Sequence, residues 1–256
     1  DRSSAASDVY KRQFYMDTET LYLGGANGLT TQISTLSHEF IHMINFYQRG
    51  ALKGSDYMFD TFLEEMSALM SEDILAERLT PGTNPMRDGR ITGWMSKPGF
   101  NCDLASWASD VNATCFGYNV TGSLGAYLLR QHGVGFYQQM LRNTSSPDSL
   151  QVLGNAIAQA GGPSLPVTLQ RWGANIALLP SSGPAGYGWP ARTDQGFTLV
   201  GIDGQRYAAA RRLPATVPAQ LAARGHFPFV RQPDAQGLYQ EQLRVPADTT
   251  LTAIVQ

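Results

Sequence analysis

The stretch "STLSHEFIHMINFYQRG", residues 34–50, decides the fold. It sets two of the chain's four histidines, His38 and His42, one helical turn apart, with Glu39 directly after the first. A helix brings positions i and i+4 to one face, so both imidazoles can reach a single ion. The H-E-x-x-H spelling alone arises by chance in roughly 2 chains per 1,000 of this composition, so its surroundings must carry the reading. Ile33, Leu36, Phe40, Ile44 and Tyr47 recur at helical spacing and predict a helix from about Thr31 to Gly50. At about 100° per residue His38 and His42 fall nearly opposite this apolar set, with Asn45 beside them. The apolar set is expected in the core, and the histidines on another surface, as the wall of a cleft.

A catalytic zinc takes three protein ligands and keeps one position open, so a third ligand must come from elsewhere. The next segment, "DTFLEEMSALMSEDIL", predicts a second helix running from about Met58 to Leu79 and stopped by "TPG". Phe59, Phe62, Leu63, Met66, Leu69 and Met70 mark its buried face. Glu65 sits at the margin of that face, stacked with Leu69 and Glu72, whereas Glu64 reads as lying on the opposite, solvent side. Glu65 is therefore the expected third ligand. Glu72, Asp73 and Asn45 are candidates to orient the imidazoles, because ligating histidines usually donate their second N–H to a carboxylate or carbonyl. Asp60 reads equally well as an acid favoured at a helix N-terminus.

H-E-F-x-H-M-I-N-F on one helix and F-L-E-E-M-S-A-L-M-S-E-D on the next resemble the gluzincin zinc peptidases, most of all the hyicolysin-like secreted bacterial metallopeptidases. The second helix of that group usually reads roughly W-L-N-E-G-x-S/A-x-x-A-E. Phe62 then takes the Trp place, Glu65 the ligand Glu, Ala68 the small residue and Glu72 the later acid; Glu64 for Asn and Met66 for Gly are departures. The resemblance covers residues 13–80 and implies Zn2+ on His38, His42 and Glu65, with Glu39 as general base. In several gluzincin families a tyrosine near the start of a Gly/Ala-containing helix supports the oxyanion. Tyr118, in "CFGYNVTGSLGAYLLRQHG", is the matching candidate here, while Tyr127 fits the apolar run of the core better. His132, at a helix end, reads as a capping residue, and His226 as structural or exposed.

Composition narrows the class. A 256-residue chain is long enough for one sizeable core or a core with a small module. A net charge of −2 without a Lys/Arg run gives no footprint for nucleic acid. No apolar stretch approaches the ~20 residues of a membrane span. No signal peptide is visible, which is uninformative in a chain opening on Asp1. Cys102 and Cys115 bracket a short Ser/Asn/Asp-rich loop and are expected to form a disulfide, in keeping with an exported protein.

Along the chain, "QFYMDTETLYLGG" reads as one or two extended segments, and residues 81–117 as a long irregular stretch. Four short helical runs follow. From about Pro180 the character changes to a linker-like stretch and then to alternating, β-rich text: "FTLVGID", "HFPFVRQ", "LYQEQLRVP" and "TLTAIVQ". The expectation is an α+β, zincin-like protein: a mostly helical catalytic domain with a short N-terminal β-sheet (1–180), a linker-like stretch (181–192) and a small β-rich C-terminal element (193–256). The expected activity is that of a secreted zinc metalloendopeptidase acting on protein or peptide, the edge strand around Phe14 to Leu23 guiding the substrate. Two rivals are a non-catalytic binding fragment of a larger surface protein and a zinc aminopeptidase. The second would need an acidic cluster for the substrate's free amine, and no dedicated stretch supplies one.

Overall fold

One helix organises the molecule: Thr61–Leu79, α3 in chain order, flanked on one side by α2 (Gly28–Asn45) and on the other by α5 (Gly117–Arg142). The computed structural model describes residues 18–25, 28–97, 100–179, 183–214 and 218–255. The remaining elements are α1 (Thr18–Leu23), α4 (Ile91–Ser96), α6 (Ser149–Gln159), α7 (Leu165–Leu178), and a two-stranded antiparallel hairpin, β1 (Arg192–Asp194) with β2 (Phe197–Leu199). Short π-type segments at Phe46–Ala51 and Met86–Arg90 extend α2 and lead into α4.

The expected buried face of α3 is buried: Phe59, Phe62, Leu63, Met66, Leu69 and Met70 all belong to the core. Being central, α3 also buries Ser67, Ala68, Ser71 and Asp73. The face of α2 departs from the expectation: of the five apolar positions Ile44 packs partly buried against the core and Leu36 is half-buried. Ile33, Phe40 and Tyr47 are 36%, 44% and 50% exposed, while Gln32, His38, Ile41 and Asn45 are buried. The cause lies on α3, whose flank carries Glu64, Glu65 and Glu72. Carboxylates taken out of water need donors, and the polar face of α2 supplies them.

Three other expectations are corrected. Residues 18–23, expected as part of an N-terminal sheet, are helical, with Glu19 in the first turn where the helix dipole favours an acid; Gln13 to Asp17 lie outside the described residues. The stretch 81–117 is not wholly irregular, since it contains Met86–Arg90 and α4, whose Met86, Ile91, Trp94 and Met95 enter the core. Among the described residues of the four segments expected to be extended at the C-terminal end, only Phe197–Leu199 forms a strand. Pro228, Pro233 and Pro246 interrupt the alternating text, and a proline cannot donate to a ladder. Val230, Leu238, Tyr239, Val245 and Leu251 accordingly stay exposed on irregular chain.

The first two of the four helical runs are one helix broken at Gly133, whose φ of 84° suits a residue without a Cβ. Asp194, from β1, accepts from the N–H groups of Val134 (2.7 Å) and Gly135 (3.3 Å), capping the second half. Residues 186–207 are tied firmly to the helices. Tyr127 donates to the Gly186 carbonyl (2.7 Å), the Gly188 N–H donates to Asn175 Oδ1 (2.8 Å), and Trp189, Leu199, Ile202 and Tyr207 join the common core.

The irregular C-terminal chain is anchored by an aromatic stack. Trp94 lies parallel to Trp172 at 4.7 Å, and His226 meets Trp172 edge-on at 5.0 Å. His226 Nε2 is buried and lacks a hydrogen-bond partner, and burial pushes the ring's pKa down to about 4. The unfolded chain takes up this proton near the ordinary value of about 6.5, so protons favour unfolding in between. Stability held by neutral His226 is complete above about pH 6.5 and lost as the pH falls towards 4. Urea melts of the parent and of His226→Phe are expected to diverge by about 2 kcal/mol between pH 7 and pH 5, the phenylalanine chain being the less pH-sensitive. Parallel pH profiles would show that His226 is not held neutral.

Candidate metal centre

The polar face of α2 builds the site. His38 Nε2 lies 3.2 Å and His42 Nε2 3.8 Å from the same oxygen, Glu65 Oε2. The three ligand atoms of His38, His42 and Glu65 lie within 4.8 Å of one another, and among the described residues no other cluster of this kind converges so closely. The imidazoles meet edge to face, with centroids 4.8 Å apart.

The second nitrogen of each ring is already engaged. His38 Nδ1 is 2.7 Å from Glu72 Oε1, and His42 Nδ1 is 2.8 Å from Glu64 Oε1. Each carboxylate fixes its ring's orientation and leaves Nε2 aimed at the centre. Asn45 Nδ2 donates to Glu64 Oε2 (3.1 Å) and to Ser67 Oγ (2.9 Å), holding Glu64 in turn. Glu72 and Asn45 thus stand where the sequence suggested. Glu64 does not face solvent as expected, because the side of α3 away from the apolar core is covered by α2. Asp73 takes no part here; it pairs with Arg130 on the α5 side.

The electrostatics suit a cation. Burial opposes charge on His38, but the hydrogen bonds of Glu65 and Glu72 outweigh it and lift its pKa to about 9. Burial alone would raise Glu65; the hydrogen bond from His38, the charges of both histidines and a hydrogen bond from Tyr118 together hold its carboxyl below the usual range. His38, His42 and Glu65 could hold a cation here, and one bound would compete with the proton that the carboxylates favour on His38.

Tyr118 stands in the first turn of α5 with its hydroxyl on Glu65 and its ring 6.5 Å from His38. Burial, then the neighbouring Glu65, raises its pKa, so it remains a neutral O–H donor; Glu39 is close enough to add to that effect. Tyr127 is core, as expected. His132 packs against Phe136 just before the break at Gly133, its pKa lowered by burial and then by Arg192. Neither it nor His226 reaches the centre.

A family model for peptidase M30 matches residues 3–256. The chain belongs to that family. No curated protein and no solved structure matches it. Membership in the M30 peptidases, the hyicolysin-like group, extends over the whole chain the resemblance carried by the helix pair, and with it metallopeptidase activity. The M30 chain also has the expected disulfide, Cys102–Cys115, and no described helix is long and apolar enough to cross a membrane.

Proposed function

We propose that the chain is a secreted zinc metalloendopeptidase of gluzincin type, holding zinc with His38, His42 and Glu65. The observation that carries this reading is the convergence of both Nε2 atoms on Glu65 Oε2, with both Nδ1 atoms already committed to carboxylates. Two imidazoles and a carboxylate form a neutral-plus-anionic donor set of the kind that catalytic zinc sites use. When bound, zinc supplies a Lewis acid at the scissile carbonyl and lowers the pKa of water.

The protein groups supply the rest. Glu39, next to His38 and outside the ligand set, takes the proton of the attacking water and delivers it to the leaving amine. Tyr118, whose O–H is on Glu65 before substrate binds, turns that single O–H about its C–O bond to the carbonyl oxygen as negative charge develops there. Glu64 and Glu72 keep the imidazoles in the tautomer that presents Nε2. Among the described residues both of these carboxylates are bound to histidines, so neither is free to hold a substrate's amine, and the endopeptidase reading is kept ahead of the aminopeptidase one. Residues 1–180 carry the chemistry in this reading, and 193–256 buttress it. The disulfide agrees with an oxidising, extracellular setting.

Elemental mass spectrometry of the purified chain tests the centre. About one zinc per chain is expected in the parent, with most of it lost in Glu65→Ala. Full zinc in that variant would move the third ligand elsewhere, and a parent that takes up no zinc after reconstitution would turn the reading towards a non-catalytic binding module.

A further inference from the structure

The Cys102–Cys115 disulfide closes a loop whose one aromatic side chain, Trp107, packs against Tyr118. Residues 102–115 are pinned at several points. Gly117 N–H donates to the Ala108 carbonyl (2.8 Å), and Lys97 Nζ donates to the carbonyls of Val111 and Asn112 (3.3 and 3.2 Å). Arg224 Nε donates to Asp103 Oδ1 at 2.9 Å, and Leu104 is sunk in the core. From this frame Trp107 meets the Tyr118 ring edge-on, with centroids 4.9 Å apart.

Tyr118 is collared on its other sides as well. Phe116 lies tilted against it at 5.4 Å, and the Arg90 guanidinium stands over its ring at 5.1 Å. Residue 117 must be a glycine for this to close, because the Trp107 indole occupies the place where a Cβ would stand. The backbone that starts α5 and the indole therefore share one surface, with the phenol locked beside it. A tyrosine donor works only if its hydroxyl keeps its place, and an ångström of drift can cost about 10²-fold in rate.

We propose that the loop 102–115 is a brace for catalysis and that Trp107 is the positioning residue holding Tyr118 over the centre. This rests on the reading of Tyr118 as the oxyanion donor. Trp107 touches neither ligand histidine in this arrangement; it acts through the phenol, and the Cys102–Cys115 bond keeps the indole at its post. The loop thus has a role in turnover that its place outside the metal ligands would not suggest.

The test is a double-mutant cycle on the zinc-loaded full chain, measuring kcat and KM on internally quenched casein together with zinc content. Trp107→Ala is expected to lower kcat by between about 10- and 100-fold, with KM and zinc unchanged. Trp107→Phe, which keeps an aromatic edge, should recover to within about threefold of the parent. The paired Cys102→Ser and Cys115→Ser substitutions should repeat the Trp107→Ala loss in a chain that still folds and holds zinc. In a Tyr118→Phe background, Trp107→Ala should cost less than about a further twofold, since the group it positions is gone. Losses that multiply in the double variant would overturn the brace. So would zinc lost along with activity in Trp107→Ala, or a Tyr118→Phe chain as active as the parent. A zinc-loaded parent that cleaves no casein would instead overturn the endopeptidase reading.

Discussion

Replacing Glu39 by glutamine is expected to lower kcat for casein cleavage by about 10²–10⁴-fold while zinc content stays at the parent value. Glutamine matches glutamate in shape but cannot accept and return a proton at neutral pH. The proposed ligand nitrogens lie on the neighbouring His38 and on His42, and both are fixed through Glu72 and Glu64, so the substitution leaves the convergence on Glu65 intact. KM should change little, because the missing proton transfer matters only in the transition state. Steady-state kinetics beside elemental analysis decides the matter: a glutamine variant within tenfold of the parent would remove Glu39 from the base role.

Replacing Asp73 by alanine is expected to cost about 3–5 kcal/mol of stability, the usual penalty for stranding a buried charge. Both side chains of the Asp73–Arg130 pair are 0% exposed, with Arg130 Nη1 2.6 Å from Asp73 Oδ2. Asn84 Nδ2 also donates to Asp73 Oδ1 (2.6 Å), and Arg130 Nε donates to the Val200 carbonyl (2.8 Å). One ion pair therefore ties α3, α5, the loop after α3 and the chain beyond β2. Thermal denaturation should show Tm lower by roughly 10 °C for a chain of this length. A double substitution of Asp73 and Arg130 to leucine, which leaves no stranded charge, should restore most of the loss. An alanine variant within 1 kcal/mol of the parent would show that the guanidinium finds another partner.

Much of the centre is legible in the sequence because its parts are local. His38, Glu39 and His42 share a single turn, and the position of Glu65 follows from the wheel of the next helix once Phe62, Met66 and Leu69 are assigned to the core. Glu64 is misread by the same wheel, which supposes one buried side and one wet side. That supposition fails for a helix packed on two flanks. The face of α2 is misread for a related reason: the apolar count along Ile33, Phe40 and Tyr47 outweighs its polar side, yet hydropathy cannot register that three carboxylates wait on the neighbour. Asn45, one turn beyond His42 and beside the histidines, is the available signal. The C-terminal strands fail differently. Alternation in "LYQEQLRVP" describes a segment able to pair, and pairing also needs a partner edge.

The polar seam between α2 and α3 has a consequence for how the two helices find each other. Apolar side chains tolerate sliding, since one aliphatic contact resembles the next. Here His38 meets Glu72, His42 meets Glu64 and Asn45 meets both Glu64 and Ser67. A slip of one helical turn, about 5.4 Å, would break all of these at once and leave several carboxylates in the dark without donors. The seam therefore works as a vernier: it reads correctly at one setting, and at that setting alone both imidazole nitrogens point to the same place.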